Sequence, residues 1–115
     1  MFTAKSMWRT QMAEKIISEA PHEGWDAKTR IVHCLYLSSA SGTPATRSPA
    51  MLTSLIYKTE SEHTIQMVQN ACIELANQGI LSTHTEIPLV MYRLHSDMLI
   101  VLESVTSHAS KAIRH

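Results

Sequence analysis

Gln66 and Asn70 stand four residues apart in a stretch that opens with Ser61, His63 and Thr64. Side chains four apart lie one above the other on a helix, so both carboxamides share a face. A carboxamide sets an acceptor beside an NH2 donor, which matches the N6 and N7 edge of adenine. The hydroxyls at the start of the stretch can reach phosphate oxygens, as can the N–H groups that a helix start leaves open. Other chemistry is harder to find. No GxSxG, P-loop, GxGxxG or His–carboxylate pair at motif spacing occurs, so no catalysis and no cofactor are expected. The seven histidines include no HExxH and no pair at i,i+4, and Cys34 and Cys72 form no CxxC. Scattered surface histidines, two buried reduced thiols and no metal site follow from that spacing.

The chain has 115 residues, 44% of them hydrophobic, with three glycines and four prolines. One domain of ordinary size is expected over 1–115, and disorder, repeats and low complexity are poor descriptions. Apolar runs such as Met98–Leu102 fall far short of the ~20 residues that span a bilayer. With no hydrophobic leader near Met1, a cytoplasmic protein is expected. Ten Lys and Arg balance ten Asp and Glu. No global positive field therefore draws in nucleic acid or acidic lipid.

Periodicity supplies the elements that would position the carboxamides. Trp8, Met12 and Ile16 recur every four residues, with Ile17 and Ala20 beside them, and predict a helix over 4–20. Asp26 caps a second helix over 27–38, with Ile31, Cys34, Leu35 and Ser38 inward. A loop over 39–47 follows, with an extended piece at 45–47. Ser48 and Pro49 then mark the start of a third helix, the serine as cap and the proline at the first helical position. Met51, Leu52, Leu55 and Ile56 are its expected core residues. After a turn at 58–61, a fourth helix over 62–78 carries Ile65, Val68, Cys72, Leu75 and Ala76 on one arc, and Gly79 ends it. The opposite arc carries His63, Gln66, Met67, Asn70, Glu74 and Asn77. Two strands, 80–85 and 89–94, read as a hairpin with a proline in its turn. Ser96 is the expected cap of a last helix over 96–112, with Leu99, Leu102, Val105, Ala109 and Ala112 or Ile113 in its stripe.

The order helix, helix, loop, helix, turn, helix, glycine, hairpin resembles the winged helix-turn-helix domain of bacterial transcriptional regulators. The residues that carry the resemblance are Leu52–Tyr57, Ser61–Ile65, Ile73–Leu81 and Val90–Leu94, and it covers 27–95. It implies a mainly α fold with a small β-hairpin, a winged helix-turn-helix core with flanking N- and C-terminal helices at 4–20 and 96–112. It also implies sequence-specific binding of double-stranded DNA, with the helix over 62–78 in the major groove and a wing over 80–94. On that reading Ser61, His63, Thr64, Gln66 and Asn70 face the DNA. Arg47, Lys58 and Arg93 hold its backbone, and Thr83, His84 and Thr85 lie near the adjacent minor groove.

Charge limits the affinity of one copy. Within 27–95 the cations Lys28, Arg30, Arg47, Lys58 and Arg93 exceed the acids Glu60, Glu62, Glu74 and Glu86 by one. A homodimer would double the phosphate contacts, and Trp8, Met12, Ile16, Leu99, Leu102 and Val105 are the residues expected to form it. A second use of the same fold fits the neutrality and the acids: a protein-interaction module that antagonises or assists another regulator without touching DNA. A plasmid or phage replication or partition component would use the same face on repeated DNA.

Overall fold

The computed structural model describes residues 4–39 and 43–113. These form α1 (Ala4–Ser18), α2 (Ala27–Ser38), α3 (Pro49–Tyr57), α4 (Glu62–Asn77), β1 (Leu81–Glu86), β2 (Leu89–Leu94) and α5 (Ser96–Ile113). The chain is thus mainly helical with one small antiparallel sheet. Residues 40–42 of the expected loop lie outside the described residues, as do the side chains of Ala109, Ala112 and Ile113.

Local chemistry sets most of the boundaries. Asp26 Oδ1 accepts the Thr29 N–H at 2.9 Å and the Thr29 hydroxyl at 2.7 Å, closing the first turn of α2. Ser48 Oγ accepts the Met51 N–H at 3.2 Å, with Pro49 at the first position of α3. At the end of α4, Gly79 turns left-handed at φ 73°. The Ile80 N–H then reaches the Leu75 carbonyl at 2.9 Å and the Gly79 N–H reaches Ala76 at 3.0 Å. Only a residue without a Cβ takes this bend cheaply, and the pattern satisfies carbonyls that the helix end would leave open. One expected cap is corrected. Ser96 is the first helical residue of α5, and His95 caps it: its Nδ1 accepts the Asp97 N–H at 3.1 Å and its carbonyl accepts Leu99 at 3.0 Å. The imidazole Nδ1, bonded directly to the ring's attachment carbon, here replaces the hydroxyl that propensity favours.

β1 and β2 pair from Leu81↔Leu94 to Glu86↔Leu89 around the two-residue turn Ile87–Pro88. A third extended piece joins them where Arg47 and Tyr92 exchange both backbone hydrogen bonds, at 2.9 and 2.8 Å. The loop before α3 is thereby tied to β2.

One core draws on all of these elements. Ile31 and Leu35 of α2, Leu52 of α3, Val68, Cys72 and Leu75 of α4, and Leu81, Tyr92 and Leu94 of the hairpin meet Ala13, Ile16, Leu99 and Leu102 of α1 and α5. α1 and α5 pack on each other. Two expected stripes are rotated by this packing. In α1 the small Ala13 takes the buried centre beside Ile16, Ala20 lies past the helix end, and Trp8 moves to the surface at 39% exposure. In α3, Leu52 and Thr53 are buried, whereas Met51 and Leu55 face outward at 49% and 41% exposure. Thr53 is accommodated because its hydroxyl donates to the Pro49 carbonyl at 2.7 Å.

Burial also separates the thiols and histidines. Cys72 is buried, which pushes its thiol up to about 12. Cys34 is only half-buried, so the expectation of two buried thiols holds for one. His33 is not a free surface histidine. It packs edge-on against Trp25, with ring centroids 5.2 Å apart, and burial lowers its pKa below 6.5. The unfolded chain then takes up a proton that the fold resists, so stability present above pH 6.5 is lost as pH falls through the folded value. His33→Gln is expected to shrink the drop in thermal midpoint between neutral and mildly acidic buffer. An unchanged drop would show that His33 contributes nothing to it.

No helix among the described residues is long and apolar enough to cross a membrane.

Candidate functional site

α3 ends at Tyr57, and Lys58 takes the left-handed conformation at φ 57° that lets the chain turn toward α4. The side chain of Lys58 folds back so that Nζ donates to the Leu55 carbonyl at 3.0 Å. The turn then reaches Ser61, which flanks α4 but makes no side-chain capping bond. Its hydroxyl and the N–H groups of the first turn are left for other partners. Glu62 in that first turn complements the positive helix end, which accounts for the acid there without any ligand.

α4 is divided by burial much as expected, except that Ile65 and Ala76 of the expected inward arc are only half-buried and Ala71 is buried instead. Val68, Ala71, Cys72 and Leu75 face the core, while His63, Gln66, Asn70 and Asn77 face solvent. Gln66 Nε2 donates to Asn70 Oδ1 at 3.0 Å. That bond leaves Gln66 Oε1 as a free acceptor and the Asn70 NH2 as a free donor, so the pair still presents both functions outward. Thr64 is half-buried at the edge of this face. Between His63 and Ile73 the exposed face carries no carboxylate. Glu74, farther along, is paired with Lys28. The acid is thereby neutralised, and Lys28 is removed from the cations available to a polyanion.

The hairpin leans toward the first half of α4. A groove runs between Ile65 and Gln69 of α4 and Pro88, Val90 and Tyr92 of the hairpin, closed by the start of α3. Gln69 thus joins the site although the sequence reading passed over it. Its signal was the place between the apolar arc and the polar arc, where a side chain faces sideways to whatever packs alongside.

The other expected contacts divide between two surfaces. Cross-strand partners share a face, so Thr83 and Thr85 lie with Tyr92 and Val90 on the side toward α4. His84 and Arg93 lie on the opposite face, His84 across from Met91 and Arg93 across from Ser82. Three consecutive hairpin residues cannot share one face, so Thr83, His84 and Thr85 do not form one contact patch. Arg47 is half-buried, its backbone is committed to Tyr92, and its Nη1 donates to the Thr46 carbonyl at 3.0 Å. The structure therefore gathers Ser61, His63, Thr64, Gln66, Asn70, Thr83 and Thr85 on the α4 side, leaves Lys58 at the boundary with α3, and separates His84, Arg93 and Arg47 from them.

Of the residues expected between two copies, Ile16, Leu99 and Leu102 are buried inside this chain, while Met12 and Val105 are half-buried against its core. Among the described residues no group of three or more His, Cys, Asp or Glu is placed to hold a metal ion. No family model, no curated protein and no solved structure matches the chain.

Proposed function

We propose that the chain is a cytoplasmic, sequence-specific DNA-binding regulator built as a winged helix-turn-helix, with α4 entering the major groove and the β1–β2 hairpin as its wing. The observation that carries the reading is the outward face of α4's first half. It is polar, free of carboxylates between His63 and Ile73, and holds Gln66 and Asn70 side by side. In this reading the free acceptor of Gln66 and the free donor of Asn70 read an adenine, and Ser61, Thr64 and Lys58 touch phosphates at the helix start. Thr83 and Thr85, on the hairpin face toward α4, supply the wing contacts.

So few cations make binding modest for one copy, since tight binders use ~6–10 phosphate contacts. Doubling by a homodimer falls to the outer surface of α1 and α5, where Met7, Trp8 and Ile100 remain exposed.

Selection of duplexes from a random pool, followed by anisotropy titration at low salt, tests the reading. Replacing both Gln66 and Asn70 by Ala is expected to weaken the selected site about tenfold or more and to leave non-specific binding unchanged. Retention of full preference by the double variant, or no duplex bound at low salt, would reject α4 as the reading helix.

A further inference from the structure

Beside the groove that borders α4, and sharing Ser48 and Leu89 with it, a second, apolar groove stands open between α3 and the hairpin. The outward side of α3 contributes Met51 and Leu55, and the hairpin contributes Leu89 and Met91, with Arg47 in the wall. Leu89 is 56% exposed, the most open of the four. Leu55 also borders a second hollow that holds Leu37 and Cys34, so the apolar surface continues across α3 to α2. Isolated exposed apolar side chains are ordinary, whereas a contiguous set across three elements marks a surface that is covered in use.

Charge identifies what covers it. Arg93 shares the hairpin face of Leu89 and Met91, is exposed, and has no ion pair among the described residues. Lys58 holds its Nζ 3.0 Å from the carbonyl of Leu55, at the boundary with the α4 side. Arg47 lines the groove itself, and Arg93 and Lys58 adjoin residues that line it. Glu86 is the acid on this hairpin face, at the tip opposite Leu89, and its Oε1 lies 3.4 Å from His84 Nε2. α3 itself carries no charged residue.

We propose that this groove docks an amphipathic helix of a partner protein, its apolar stripe seated on Met51, Leu55, Leu89 and Met91 and its flanking Asp and Glu residues against Arg47, Lys58 and Arg93. Helix-in-groove recognition uses apolar anchors at i, i+4 and i+7, and methionines give such a floor the adaptability to fit them. Nucleic acid fits poorly, because the floor offers nothing to a phosphate. A second copy meeting through a twofold axis would set the same cations against themselves. The inference stands apart from the reading of α4, sharing only Lys58 with it, and its test uses Met51 and Arg93, which that reading does not need.

The test uses the full chain and two synthetic helical peptides with the same leucine stripe, one flanked by Glu and one by Lys. The Glu peptide is expected to bind saturably and to move the backbone amide resonances of Met51, Leu55, Leu89 and Met91. The Lys peptide should bind about tenfold more weakly or worse. Met51→Asp should weaken the Glu peptide about tenfold, and Arg93→Glu should invert the preference between the peptides. Both side chains face solvent, so circular dichroism of the variants should match the parent. Equal binding of the two peptides, no saturation at millimolar concentration, or resonance changes confined to other surfaces would overturn the proposal. So would self-association that Met51→Asp abolishes, which would give the groove to a second copy, or a duplex that moves the same four amides.

Discussion

Leu102→Ala is expected to lower the unfolding free energy by about 2–5 kcal/mol, the range for deleting a buried leucine without collapse of the cavity. Leu102 has no exposed surface and meets the core that Ala13 and Ile16 of α1 and Leu99 of α5 help to form. The loss combines the transfer of its side-chain atoms with a void that neighbouring helices cannot close, because both are fixed at the core by other contacts. Ile100 on the same helix is the control. It is 63% exposed, and Ile100→Ala should change stability by no more than about 0.5 kcal/mol. Urea titration followed by circular dichroism measures both. If the two variants cost the same, α5 does not pack as described. If the midpoint of the parent rises with protein concentration, a partner copy contributes part of the stability and the value for Leu102 must be read as that of an assembly.

The second large effect is at Tyr92. Its ring is buried, it faces α4 across the inner side of the hairpin, and its backbone exchanges both hydrogen bonds with Arg47. Tyr92→Ala should cost about 3–5 kcal/mol, as other large-aromatic truncations in cores do. Tyr92→Phe should cost less than about 1 kcal/mol, because the hydroxyl has no hydrogen-bond partner among the described residues. The backbone pairing survives either change, so a deficit in Tyr92→Ala alone reports the ring. A large loss in Tyr92→Phe would instead place the hydroxyl in a bond that the structure does not contain. For the Ala variant, exchange protection should fall first at the amides of β2 and Arg47, since the ring is what presses the hairpin and the loop strand onto the helices.

Charge is less informative than the neutral total suggests. Lys28 and Glu74 cancel as a pair, Arg9 approaches Asp97 at 3.5 Å, and Arg30 is used on the carbonyls of Trp25 and His22. What remains outward is sorted by surface. The α4 face is polar and nearly uncharged, and the groove between α3 and the hairpin is apolar with Arg47 in its wall and Arg93 and Lys58 adjoining it. Neither property is visible in a count of ten against ten.

The starts of α2 and α3 and the end of α4 were legible because those signals are local. Asp26, Ser48 and Gly79 act on N–H and carbonyl groups within a few residues of themselves, so their effect does not depend on the rest of the fold. The failure at Ser96 is of the same range: two neighbours compete for one cap, and the imidazole of His95 is better placed than the hydroxyl. The division of α4 into a buried and an exposed arc was equally legible, since its apolar residues are numerous enough to admit only one inward face. α3 was not. With nine residues, apolar at six, it can turn more than one face inward, and only contacts with α2 and α4 select Leu52 and Thr53 over Met51 and Leu55.

The sequence by itself determined the helices, the hairpin, the caps at Asp26, Ser48 and Gly79 and the polar front of α4, because periodicity and capping act over one or two turns. Tertiary structure alone decided what each apolar stripe meets. A stripe states that a face must leave water and is silent on whether its cover is another helix of the same chain or another molecule. Here α1 and α5 cover each other, Arg47 is drawn to β2 by pairing across 45 residues of chain, and the outward side of α3 is left open. Long-range packing is chosen by shape and by the free energy of the whole core, and no single residue carries that choice.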